Sequence, residues 1–158
     1  MSGTYASQTS VSVEKSRGEI EKTLSRYGAT AFMYGWNEGG AIIQFAAHGR
    51  LVKFILRLPD KDADEFRLTP AGRSRRTDAD AERAWEQACR QKWRALALVV
   101  KAKLEAVDAG IAIFEDEFLA YTVLPGGETV GAWLQPQINE AYANGVAPRM
   151  LLELGDGS

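Results

Sequence analysis

The sequence predicts an α+β fold: an N-terminal helix, a three-stranded antiparallel meander, a long amphipathic helix and two shorter C-terminal helices. Three observations predict it. Apolar residues recur at helical spacing near the start of the chain. Three short apolar and aromatic runs follow, joined by tight polar or glycine turns. A single helical stripe then continues for about six turns.

The first helix runs from about Val13 to Tyr27. Val13, Ile20, Leu24 and Tyr27 fall on one side, with Arg17 completing the stripe. Ser12 or Ser16 can cap its start, Ser16 and Glu19 having capping-box spacing, and Gly28 suits its end. The strands are Ala29–Trp36, Ala41–Ala47 and Arg50–Leu58. Asn37-Glu38-Gly39-Gly40 forms the first turn and His48-Gly49 the second, and Pro59 ends the third strand. This register sets Phe45 opposite Val52, Ile43 opposite Phe54, Tyr34 opposite Ile43 and Phe32 opposite Phe45. One face then carries Phe32, Tyr34, Trp36, Ile43, Phe45, Val52, Phe54 and Leu56, and reads as core. The other face is flatter and holds Met33, Ile42, Leu51 and Ile55 together with Lys53 and Arg57.

Residues 60–77 form an excursion in which Phe66 and Leu68 are expected to add a short strand. Thr77 caps the long helix, about Asp78 to Ala109, whose Trp85, Cys89, Trp93, Leu96, Val100, Leu104 and Val107 define one apolar arc. A shorter helix is expected over Ile111 to Tyr121, using Phe114 and Phe118. Pro125-Gly126-Gly127 is a turn. Thr129 caps a last helix toward Tyr142, kinked or restarted at Pro136 and stopped by Asn144-Gly145. Residues 1–11 read as a flexible tail, 12–145 as one domain and 146–158 as a loose tail.

The 158 residues suffice for one real core. Cys89 is the only cysteine, which excludes an internal disulfide and a multi-cysteine zinc site. The start of the chain lacks the pattern of a signal peptide and no apolar run is long enough to cross a bilayer, so a cytoplasmic location is expected. The net charge of −2 hides a split. Residues 1–103 hold 18 basic and 12 acidic residues, whereas residues 104–158 hold one basic residue, Arg149, and nine acidic ones. The split implies either a basic and an acidic face or mutual contact between the two parts.

Most candidate chemistry reads as ordinary structure. Asp60, Asp62 and Asp64 resemble the start of a calcium loop, but Glu65 stands where glycine is needed and Ala71 where the closing glutamate belongs. His48 is the only histidine and sits in a turn, and Cys89 lies on the apolar stripe. The glycines belong to turns rather than to a phosphate-binding loop, and Glu115, Asp116 and Glu117 read as a solvated face. No catalytic residue, cofactor or metal is therefore expected.

The basic residues are the exception. Arg83, Arg90, Arg94 and Lys101 project along one line of the long helix, each within about 20° of Arg83. Arg73, Arg75 and Arg76 precede this helix, and Lys53 and Arg57 lie on the second sheet face. Together they suit phosphates in a basic groove, with Trp36 or Tyr27 stacking on bases. The competing interpretation is a solvated helix face with pairs such as Arg83 with Gln87 and Lys101 with Glu105.

The runs SVEKSRGEIEKTLSRYGATAFMYGW, AWEQACRQKWRALALVVKAKLEAVDAGIAIFEDEFLAY and TVGAWLQPQINEAYANG resemble a family of small uncharacterised bacteriophage and prophage proteins, over about residues 8–145. The resemblance implies a phage setting and carries no catalytic residue. The order helix, three-stranded meander, long helix also resembles the cores of single-strand annealing proteins, phage annealing recombinases among them. That likeness implies oligomeric rings holding single strands in a basic groove. The leading expectation is thus a non-enzymatic protein that binds single-stranded nucleic acid and aids recombination or replication, as an oligomer. The alternative is an interaction module that sequesters a host or phage protein, or a small signalling ligand, through Met33, Ile42, Leu51 and Ile55.

Overall fold

The structure is a computed structural model and describes residues 9–148. The tail expected at residues 1–11 falls mostly outside the described residues, as do residues 149–158 of the C-terminal tail. The element order is α1 (Val13–Arg26), β1 (Ala31–Asn37), β2 (Gly40–Ala47), β3 (Arg50–Arg57), α2 (Asp64–Arg67), α3 (Asp78–Asp108), α4 (Phe114–Glu117), a 3₁₀ turn (Leu119–Tyr121) and α5 (Val130–Asn144).

Ser12 is the cap that starts α1, its hydroxyl accepting from the Lys15 amide at 3.1 Å. Ser16 is instead fully buried inside the helix. Ile20 and Leu24 are buried, and the chain reverses at Gly28, whose φ of 92° suits glycine. Arg17 does not interrupt the apolar stripe at random: its guanidinium lies 4.5 Å from the centre of the Tyr34 ring.

The sheet is an antiparallel β1-β2-β3 meander in the expected register, with Phe32 opposite Phe45, Tyr34 opposite Ile43, Phe45 opposite Val52 and Ile43 opposite Phe54. His48 and Gly49 both have positive φ, as a two-residue turn matching strand twist requires. The His48 ring also stacks on Phe114, 4.4 Å between centres. In the first turn the ladder extends to Asn37 and Gly40, leaving only Glu38 and Gly39 at the tip. The Asn37 carboxamide oxygen accepts the Gly39 amide at 2.9 Å, so four expected turn residues become two.

Ile43, Phe45, Val52 and Phe54 are buried beneath α1, α3 and α4. Phe32, Tyr34 and Leu56 pack at the margin. Trp36 departs from the expected core face, for it is 75% exposed. An open cleft separates Trp36 from the start of α1 and from Trp85 and Glu86 of α3, so the face periodicity is right but nothing closes over the indole.

The Thr77 hydroxyl accepts the Asp80 amide and starts α3, which buries Cys89, Trp93, Leu96, Val100 and Leu104 as its stripe predicts. The excursion contains one helical turn, α2, instead of a strand at Phe66. Arg67 holds it by pairing with Asp62 at 2.6 Å and Asp78 at 3.2 Å, and Leu68 makes only an isolated bridge to Arg75.

The helix expected over residues 111–121 is broken into α4 and the 3₁₀ turn. The break lets Phe118 point edge-on at Phe45 and Phe54 while Tyr121 stacks on Phe54. Thr122 then bridges Val52, and the Val123 amide donates to Leu51 O. Thus residues 114–123 clamp the β3 edge, a long-range pairing with no local sequence signal. Thr129 caps α5, Gly145 ends it, and the helix runs through Pro136 without restarting. Pro136 removes one amide donor, and Ala132, whose carbonyl loses that partner, is an exposed residue.

Candidate functional site

The long-helix line of cations does not form an open groove. α1 packs along α3, and Arg94 forms an ion pair with Glu19 of α1. Arg90 donates twice to the Gln87 side chain, at 3.1 and 2.6 Å, and Arg83 pairs with Asp80. Arg76 donates to the carbonyls of Glu65 and Phe66, closing the α2 excursion. Lys53 donates to Gly127 O at 2.8 Å and pins the turn before α5. These five cations are engaged internally. Arg57, Arg73, Arg75 and Lys101 are exposed and have no side-chain partner among the described residues.

Lys101 lacks its expected Glu105 partner, and Glu105 instead accepts the Tyr27 hydroxyl at 2.6 Å. That bond, with the Glu105 charge, raises the Tyr27 pKa. Tyr27 is thereby tied to α3 and is not a free stacking ring, contrary to the expectation.

Trp36 is the free ring. It lies between two hollows at the β1–β2 end of the sheet. The first, about 470 Å³, is an aromatic cleft between the sheet, the start of α1 and the first half of α3, with Tyr34, Trp36, Trp85 and Trp93 in its walls. Most of these rings are occupied. Arg17 covers Tyr34, the Trp85 indole N–H donates to Pro59 O at 2.8 Å, and Trp93 is buried against Tyr34. Glu14, Glu38, Glu86 and Arg90 line the same cleft and give it an acidic rim. The second hollow, about 450 Å³, is a recess on the outer sheet face, lined by Gly35, Asn37, Gly39, Gly40, Ile42, Ile55 and Arg57 besides Trp36 and Ala41. Its one charged residue is Arg57. The glycines keep it flat, so an extended backbone can approach closely.

The Trp36–Arg57 juxtaposition escaped the sequence reasoning, although the signal was present. Asn37 pairs with Gly40 and Gly40 with Arg57, which places Arg57 two strands from the residue after Trp36. Extending the register to the strand ends would have put Arg57 at the same end of the sheet as Trp36, though on the opposite face.

The outer face is bare where expected. Met33, Ile42, Leu51 and Ile55 are between 39 and 60% exposed, and Ile42 sits directly opposite Ile55. Elsewhere the candidate chemistry is spent on structure. Asp60 accepts the Asp62 amide, Asp62 pairs with Arg67, and Glu117 pairs with Lys103 at 3.1 Å. Cys89 is buried, and desolvation raises its pKa, which disfavours the thiolate. No group of three or more histidine, cysteine, aspartate or glutamate side chains among the described residues could hold a metal ion. No helix among them is long and apolar enough to cross a membrane.

The charge split persists on the surface. Residues 104–148 contain seven acidic residues and no basic one. Lys103 with Glu117 is the one ion pair across the boundary among the described residues. Comparison with known protein families, curated proteins and solved structures finds no match for this chain.

Proposed function

We propose that this chain is a non-enzymatic protein of phage type that binds single-stranded nucleic acid and serves recombination or replication. The observation that carries the reading is a flat glycine-rich recess at the end of the sheet that the exposed Trp36 and the unpaired Arg57 both line. A base has a π-face to stack on the indole, and the guanidinium is placed for a neighbouring phosphate. Arg73, Arg75 and Lys101 add cations that no carboxylate neutralises. The acidic rim of the aromatic cleft keeps phosphates out of that hollow, so the strand follows the Arg57 side of Trp36.

Fluorescence anisotropy with a short labelled single strand tests this reading. Four phosphate contacts predict a slope of roughly −3 for log affinity against log salt, at about −0.7 per contact. Reversing Arg57, Arg73 and Arg75 to glutamate should abolish binding and leave the fold intact. Unchanged binding in that variant, or affinity indifferent to salt, would end the proposal.

A second reading has its own support, the bare apolar face formed by Met33, Ile42, Leu51 and Ile55. A protein partner covering that face would make the chain an interaction module. Loss of partner binding on Met33→Glu, with nucleic-acid affinity retained, would separate the two.

A further inference from the structure

α5 is the least anchored element among the described residues. None of its residues is buried, yet it carries Trp133 at 48% and Tyr142 at 89% exposure, with Leu134 and Ile138 only partly covered. Its attachment is at one end. The Val130 amide donates to Thr122 O at 2.9 Å, and Gly131 closes on the Ala120 carbonyl. From there it packs chiefly on the 3₁₀ turn. A helix with apolar groups on several sides and no core contact lacks the burial that normally stabilises a helix of this length.

The sheet has the complementary deficiency, since helices cover one face and leave the other bare. A 15-residue helix is about 22 Å long, and strands of eight residues span about 26 Å, so one such helix fits along this face. Charge matches as well. The outer face carries the unpaired Arg57 and no carboxylate, whereas Glu140 lies on α5.

Resting on the reading of the sheet face as a partner surface, we propose that its occupant is α5 of a second copy of this chain. The exchange is reciprocal, so each protomer's helix covers the other's sheet about a two-fold axis. The result adds the missing third layer: helices, sheet, helix. It also brings the acidic C-terminal part of one copy onto the basic sheet of the other.

Light scattering on the full chain over a range of concentrations should give twice the 17.3 kDa chain mass. Met33→Glu on the sheet and Trp133→Glu on α5 change exposed residues, so both variants should keep the parent's circular dichroism. Each alone should weaken the dimer by at least about tenfold, because a carboxylate would be desolvated against apolar surface. Mixing the two variants should restore dimers, since the intact helix of the Met33→Glu chain meets the intact sheet of the Trp133→Glu chain. A parent chain that stays monomeric overturns the proposal while leaving the sheet face open to a different partner. A dimer lost only in Met33→Glu, with no recovery on mixing, also overturns it and indicates sheet-to-sheet contact.

Discussion

Replacing Trp36 by alanine separates binding from folding, because the residue is 75% exposed. About a quarter of a tryptophan's ~250 Å² is in contact with the protein, roughly 60 Å², worth at most about 1.5 kcal/mol at ~25 cal/mol/Å². For a chain of this size that lowers the melting temperature by no more than about 6 °C. Stacking of one base on an aromatic ring contributes about 1–3 kcal/mol, so affinity for a single strand should fall about 5- to 140-fold. Trp36→Phe keeps a π-face and should recover part of the loss. The assay is anisotropy at fixed low salt, with the folded fraction checked by circular dichroism at the same temperature. Arg57→Glu serves as the companion: it should weaken binding and flatten the salt dependence, whereas Trp36→Ala should leave the slope unchanged. A folded Trp36→Ala variant that binds within twofold of the parent would refute the stacking argument, whatever the cations do.

Three further outcomes test the architecture. Phe118→Ala removes a fully buried ring that meets Phe45 and Phe54 edge-on, and should destabilise the fold by about 3–5 kcal/mol in urea melts; a cost under about 1 kcal/mol would mean that residues 114–123 do not belong to the core. Gly40→Ala should cost roughly 2 kcal/mol or more, since φ is 150° and a Cβ would stand 2.2 Å from Leu56 O, whereas Gly35→Ala meets nothing within 4 Å and should stay within about 0.5 kcal/mol. Asp80 has its pKa lowered, first by the hydrogen bond from Arg83 and then by that from Thr77. Its folded value lies below the unfolded one, so its stabilisation is present at neutral pH and disappears as pH falls through the folded value. Asp80→Asn should therefore lower the melting temperature at neutral pH and converge with the parent in acid; a constant gap at every pH would contradict the assignment.

The legible parts of the fold share a physical cause. Register was readable because a two-residue turn at His48-Gly49 leaves one pairing, and because a slip would expose Phe45, Val52 and Phe54 together. The long helix was readable because its stripe repeats over many turns. The segments misread, around Phe66 and across residues 111–121, are single helical turns decided by distant partners: Arg67 with Asp62 and Asp78, and Phe118 with the sheet. The candidate site failed and succeeded for the same reason. A helical wheel showed that Arg83, Arg90, Arg94 and Lys101 share a line, but not that α1 would lie along it and offer Glu19. Likewise, the pattern gave Trp36 the correct face without revealing that an open cleft keeps the helices off it.

The two proposed surfaces touch, and this has a consequence for binding strength. Ile42 and Ile55 belong both to the bare face and to the recess beside Trp36 and Arg57. One stacked base and four phosphate contacts make a weak site at physiological salt, since the electrostatic part falls steeply as ions are added. A partner helix laid along that face covers Ile42 and Ile55 and sets its carboxylate against Arg57, so the paired chain and the strand-bound chain exclude one another. A single strand should therefore dissociate the pair. Met33→Glu, which splits the pair while leaving Trp36 and Arg57 in place, should strengthen binding to the strand. Weaker binding in that variant would mean that Met33 itself contacts the strand, and the sheet face and the stacking recess would then be one surface with one function.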